Sequence, residues 1–482
     1  MRLANGRRAA CLVLATVTLA GCVNEHRAGE PTTSDKASPD QSTAGGADGA
    51  GDPYYPTDGN GGYDVTAYHV SISYDPAAKQ LDGDTTITAK ATDDLSVFNL
   101  DLIGFKIASV EVDGAKAKVA RDGEHEVVIT PAKPVAKDAE FTTRVRYAGV
   151  PEKTSENGLG ETGWQISSSG GAFAAGEPHS ATSWYPANDT PRDKATFKLD
   201  ARVPKEWSVI SNGVEDPATP DGDWLTYHWT EPTRIATYLT TIGIDKWTYE
   251  RSQLPSGVPV VSAYAPGAEA RKDVESRLPE ILDFLSSKFG PYPQSAAGGI
   301  YLNESIGFSL ETQGRPIYAN WADLETVVHE NAHQWFGDSV SVESWSDICL
   351  NECFASYAPW LWDEGKDGAN LDERYLSTVS HENAGFWQRP LHDMGPGNEF
   401  TAVYDKGPLA LHALRRQIGD EAFGKLLTGW TAEHRDGNAS LADFQAYTER
   451  TAGQDLDAFF AAWFDGKEKP ADEFLYPGPL HR

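Results

Sequence analysis

The stretch TVVHENAHQWFGD, Thr326–Asp338, sets two histidines four residues apart, with a glutamate directly after the first. Residues i and i+4 stand one above the other on a helix face. His329 and His333 can therefore both reach one zinc ion, and Glu330 points slightly aside, where it can take a proton from a water that the metal activates. By itself the pentapeptide also fits two surface histidines on an ordinary helix. A third residue weighs against that bland reading. Eighteen residues separate His333 from Glu352, which lies inside LNECFASY. That gap allows a turn and a second helix to bring the carboxylate back to the metal. Two neutral imidazoles and one carboxylate leave a tetrahedral zinc with one open position, the ligand set of a catalytic site rather than a closed structural one.

The chain around this motif has 482 residues, enough for one to three domains with cores of their own. Its apolar content of 40% fits a folded protein, and its formal charge of −30 argues against a nucleic-acid partner held on a basic surface. The start does not read as part of the fold. MRLANGRR carries three arginines, and the apolar run AACLVLATVTLA is short for a membrane-spanning helix. The run closes in LAGC. Residues 1–21 are read as a lipoprotein-type signal peptide and Cys22 as the lipidated first residue of the mature chain, with a plain secretory signal as the alternative. Residues 22–57 are small and polar with no apolar period, and are read as a flexible linker.

Residues 58–246 read as a β domain. YHVSISYD puts Tyr68, Val70, Ile72 and Tyr74 on one face, and FTTRVRYAG does the same for Phe141, Val145 and Tyr147. Turn signals such as VDGA, RDGE and SNGV punctuate the segments. Residues 247–482 read as mainly helical. Val274, Leu278, Ile281, Leu282, Leu285 and Phe289 share a helical face that Gly290 ends, and Pro279 either kinks that helix or marks its start. Ser440 and Asp443 are spaced for a capping box. After DAFFAAWF the sequence leaves no room for another large domain. The remaining cysteines outside the signal, Cys349 and Cys353, could be bridged in an oxidising compartment, but at a spacing of four inside a helix their side-chain vectors are poor. The sequence leaves that pairing open.

The H-E-x-x-H motif, the eighteen-residue gap and the NE pair resemble the aminopeptidase N family of zinc metallopeptidases, the gluzincins that also include leukotriene hydrolase. Three further stretches agree. GEPHSATSWYPANDTPRDKATF, residues 176–197, is similar to the family segment that helps to hold a substrate's free amine, a role that falls on or near Glu177. GFSLETQGRPIY is similar to the family's G-x-M-E-N strand and places the amine-binding glutamate at Glu311, although Phe308 stands where glycine is usual and Thr312 where asparagine is. VYDKGPLALHALR is similar to the Y-E-K-G segment, whose tyrosine supports the oxyanion, and maps it to Tyr404.

The resemblance implies a multidomain α+β protein, an N-terminal antiparallel β-sandwich-like domain followed by a thermolysin-like catalytic domain. It implies one zinc per chain on His329, His333 and Glu352. It further implies Glu330 as general base, Tyr404 as oxyanion donor, and Glu311 with Glu177 as holders of the amine. The expected substrates are peptides with a free N-terminus, and the expected location is outside the cytoplasm, tied to the membrane through Cys22. Without a further helical domain closing over it, the site is expected to be more open and to accept longer peptides. An endopeptidase would keep the metal and ignore the amine. A non-catalytic peptide-binding lipoprotein would have lost a ligand, the base or the tyrosine. The other histidines, among them His179, His381, His392 and His412, are expected to be structural.

Overall fold

The computed structural model describes residues 45–156 and 159–480. The signal segment, Cys22 and the linker as far as residue 44 lie outside the described residues. Among the described residues no helix is long and apolar enough to cross a membrane.

The alternating segments form strands, as their period of two requires. Tyr63–Asp75 and Glu140–Gly149 belong to one eight-stranded sheet. Tyr68, Val70, Ile72 and Tyr74 are buried on one face, and so are Phe141, Val145 and Tyr147. The sheet departs from the expected antiparallel pattern at one place, because Tyr63–Asp75 runs parallel to Ala195–Pro204. Two smaller sheets complete the β domain. One has five strands, from Lys153–Glu156 to Ile242–Asp245, and the other sets Glu126–Thr130 between Phe98–Asp101 and Lys118–Asp122.

A four-stranded sheet opens the second half: Thr248–Gln253, Pro259–Tyr264, Ile300–Tyr301 and Ile317–Tyr318. Helices follow. Pro279 marks a start and not a kink: it sits in the first turn of Leu278–Phe289, where its missing N–H has no helical partner to lose. Gly290 ends the helix at φ 98°, a backbone that suits glycine. Helix Leu441–Ala452 begins in the expected capping box of Ser440 and Asp443.

The linker expectation needs correction at residues 45–57. Asp52 and Tyr54 are buried. Asp52 accepts the Trp345 N–H at 2.9 Å, the Tyr54 hydroxyl donates to Asp393 at 2.9 Å, and the Tyr55 hydroxyl donates to Glu399 at 3.0 Å. Two aromatic rings and one well-placed carboxylate fix this strap against the helical half, although small residues dominate its composition.

Candidate active site

The helix Leu324–Ala332 begins at Asp323, whose carboxylate accepts the Thr326 N–H at 3.1 Å. It ends one residue before His333, which still holds a helical conformation, φ −58° and ψ −25°. The i, i+4 geometry therefore survives the helix end. The two Nε2 atoms lie 3.1 Å apart. Gly337, at φ 121°, turns the chain so that the Phe336 carbonyl meets His333 Nδ1 at 2.9 Å, and a Cβ there would press on that same nitrogen. This carbonyl fixes the ring so that Nε2 faces inward.

Glu352 enters from the next helix, Cys349–Trp362. Its Oε2 lies 3.4 Å from His329 Nε2 and 3.5 Å from His333 Nε2, yet receives no hydrogen bond among the described residues. A buried carboxylate oxygen without a donor, facing two imidazole nitrogens, fits a metal ion and little else. Burial opposes the ionised form of Glu352, but the two histidines outweigh it and hold the carboxyl at about 2. Cys349 is the first residue of this helix and is bonded to Cys353, with the Cα atoms 4.8 Å apart. The helix start frees the Cys349 side chain from the vector that the helix interior would impose. The question left open by the spacing is answered by a bridge that pins the turn carrying Glu352.

The other expected residues gather around these three. Glu311, Glu330 and His333 bring ligand-type atoms within 4.8 Å of one another. Glu177 arrives from the β domain and lines the same cleft of about 650 Å³, together with Glu311, Glu330, Glu352 and Tyr404. Burial raises the proton affinity of Glu330, Glu311 and Glu177, and neighbouring carboxylates raise it further. One oxygen of Glu177 has no partner among the described residues. Four carboxylates so close together call for positive charge, and a divalent metal with a substrate ammonium would supply it. The Tyr404 ring stands 6.1 Å from that of His329 and is 43% exposed to the cleft. It is placed by the close approach of the following helix, Lys406–Ile418, at Gly407, where a Cβ would collide with Cys353.

Three supporting residues escaped the sequence reading. The Tyr238 hydroxyl donates to Glu311 at 3.4 Å and accepts from Asn351 Nδ2 at 3.4 Å. Gln334 Nε2 donates to the Glu311 carbonyl at 3.0 Å. Asn351 and Gln334 sit beside metal-site residues in the sequence and could have been suspected from that, whereas nothing local marks Tyr238. Lys194, within the stretch of residues 176–197, is not at the site. Its ammonium donates to the Asp338 and Ser339 carbonyls at 2.7 and 3.0 Å, joining the two halves of the molecule.

Comparison with known proteins agrees with this geometry. Residues 64–239 match the Peptidase M1 N-terminal domain and residues 310–463 the Peptidase family M1 domain. The chain is 26% identical to a probable aminopeptidase 1 of Sulfurisphaera tokodaii over 398 residues, 76% of this chain and 48% of that protein. It is 27% identical to aminopeptidase N of Streptomyces lividans over 312 residues, 58% of this chain and 36% of that one. The chain thus spans about half, or less, of the length of these curated relatives. It superimposes on an M1 zinc metallopeptidase of Deinococcus radiodurans with a TM-score of 0.81 at 29% identity, covering 88% of this chain and 98% of that one. A variant of that enzyme bound to a Tyr-Ser-Ala substrate matches equally well, with a TM-score of 0.81.

Proposed function

The chain belongs to peptidase family M1, and from that premise we propose that it is a zinc aminopeptidase, removing N-terminal residues from peptides. The cofactor is zinc, held by His329, His333 and Glu352. When bound, it supplies a Lewis acid for the scissile carbonyl and for the attacking water. Glu330 accepts the proton of that water and returns it to the leaving amine, a task suited to a carboxylate whose surroundings raise its proton affinity. The Tyr404 hydroxyl donates to the oxygen on which negative charge develops. Glu311 and Glu177 pair with the free ammonium and so fix how much chain lies beyond the metal.

The observation that carries this reading is the placement of two buried carboxylates, Glu177 and Glu311, beside the metal triad in one cleft. An endopeptidase has no use for them. The test is hydrolysis of aminoacyl amides by protein of measured zinc content. Activity should vanish with a chelator and return with one equivalent of zinc. Zinc-loaded protein without hydrolysis of any free-amine substrate would point to peptide binding alone.

The reading extends to substrate length and to location. Exposed Tyr404 and Trp321 line an open cleft, which favours access by peptides longer than a few residues. The LAGC sequence ending at Cys22 favours a lipid anchor outside the cytoplasm. Cys22→Ala should abolish incorporation of labelled fatty acid. Equal labelling of that variant would remove the anchor from the account.

A further inference from the structure

A second buried cluster of ionisable groups lies in the β domain, away from the cleft. It is centred on Asp101, the last residue of the strand Phe98–Asp101, which pairs in register with Glu126 on the neighbouring strand. Asn60 Nδ2 donates to both Asp101 oxygens at 3.3 Å, and the Asp189 N–H donates to Asp101 Oδ2 at 2.8 Å. Asp58, Asp101, Asp189, His125 and His179 line a cavity of about 150 Å³, and no lysine or arginine lines it among the described residues. Asp101, His125 and Glu126 bring ligand-type atoms within 4.8 Å of one another.

What sets this cluster apart from an ordinary acidic patch is unmet polar capacity in a buried place. Glu126 is 5% exposed, and neither of its oxygens has a hydrogen-bond donor among the described residues. Asp48 lies against it within hydrogen-bonding reach, so this carboxyl pair must either share a proton or meet a cation. Asn60 Oδ1 and Asp189 Oδ2 are likewise buried and unpartnered. The nearby imidazoles are engaged elsewhere: His179 pairs with Asp58, and His125 Nε2 contacts the Thr57 carbonyl at 3.1 Å, standing 3.8 Å from Glu126. Each such orphaned oxygen is costly unless a cation or donor meets it.

The geometry points to a divalent-cation site of hard oxygen donors, built from Glu126, Asp101, Asp189 and Asn60, that takes calcium. Calcium accepts six to eight oxygens from carboxylates, amide carbonyls and water in loose geometry. The donors here are of that kind, and the adjoining cavity, lined by Asp101 and Asp189, has room for water ligands. Zinc would draw on imidazole nitrogen, and here His179 is paired with Asp58 and His125 with the Thr57 carbonyl. Burial, reinforced by Asp48, raises the Glu126 carboxyl to about 8, which agrees with a group short of positive charge. The ion would tie Asn60, next to the strap, to two strands and to the loop holding Asp189. The strap in turn bonds Asp393, Gly395 and Glu399, and Gly397 and Phe400 line the substrate cleft.

The test uses the full chain, loaded with zinc, freed of calcium, and titrated with calcium chloride by calorimetry and thermal unfolding. One calcium should bind per chain, with zinc content unchanged and a Tm that rises with calcium concentration. Glu126→Gln should weaken binding by about tenfold or more, through loss of a charged ligand. Should that variant fail to fold, Asn60→Ala reads the same site through a neutral ligand and should also bind more weakly. No uptake at millimolar calcium, or uptake that the folded variants leave unchanged, would overturn the site. A second equivalent of zinc that excludes calcium would overturn the choice of ion. Neither calcium stoichiometry nor Tm depends on peptidase activity.

Discussion

At Glu330, burial and the charges of Glu311 and Glu352 raise the proton affinity of the side chain proposed as the general base. Glu330 is not one of the three metal-facing groups, so Glu330→Gln should keep one zinc per chain. It should also lower kcat by roughly 100- to 10,000-fold, the usual worth of a positioned base. Zinc analysis beside steady-state kinetics checks both halves. Loss of zinc along with activity would instead make Glu330 part of the metal site. Tyr404 is tested differently. Its ring reaches the cleft from the segment that precedes the helix Lys406–Ile418, and Tyr404→Phe removes the donor while keeping the ring. An oxyanion donor acts in the transition state, so kcat should fall by about 100- to 1,000-fold with KM little changed. A rise in KM alone would reassign Tyr404 to substrate binding.

At the scale of elements, helix contacts make stability depend on pH. His412 is fully buried between Tyr357, whose hydroxyl lies 2.9 Å from Nδ1, and Asp372, 2.9 Å from Nε2. Burial lowers its pKa from 6.5 to about 4, with Arg416 and Arg415 pushing the same way and Asp372 resisting. The unfolded chain therefore binds a proton that the folded chain refuses. Stability is intact above the unfolded value and is lost as pH falls toward the folded one, by about 3 kcal/mol over the whole window. Between about pH 7 and pH 5, the Tm of the natural protein should fall more steeply than that of His412→Gln. Parallel falls would place the acid sensitivity elsewhere. Most elements were legible because a single period or cap decides them: alternation in Tyr63–Asp75, the apolar face of Leu278–Phe289 up to Gly290, Ser440 and Asp443 at a cap. The disulfide was not, since it depends on Cys349 falling at the helix boundary, which periodicity does not locate to one residue.

Across the whole molecule, the convergence of His329, His333 and Glu352 was readable because the three residues sit on or at the end of two neighbouring helices at a fixed spacing. Glu177 and Glu311 became legible through motif resemblance, whereas Tyr238 reaches Glu311 from the β domain with no sequence signal. The strap was misread for a related reason: its composition is that of a coil, and its order comes from partners some 290 to 340 residues away, such as Trp345 and Asp393. The Asp101 cluster has the same character, drawing on strap, strands and loop. The open cleft gives a prediction at this scale. A ten-residue peptide and a tripeptide with the same N-terminus should be trimmed with kcat/KM values within about tenfold, or ~1.4 kcal/mol, of each other. Mass spectrometry of the shortened products checks it, and strong rejection of the longer peptide would mean that the cleft is closed in solution. The central claim is that buried carboxylates beside the zinc site read a free amine. The most direct measurement compares kcat/KM for free and N-acetylated aminoacyl amides, in the zinc-loaded natural protein and in Glu311→Gln. The account predicts cleavage of the free-amine substrate alone, and about a 30-fold or larger loss in Glu311→Gln, since losing one partner of a buried charged pair costs about 2–5 kcal/mol. Equal cleavage of the acetylated substrates by the natural protein would contradict it.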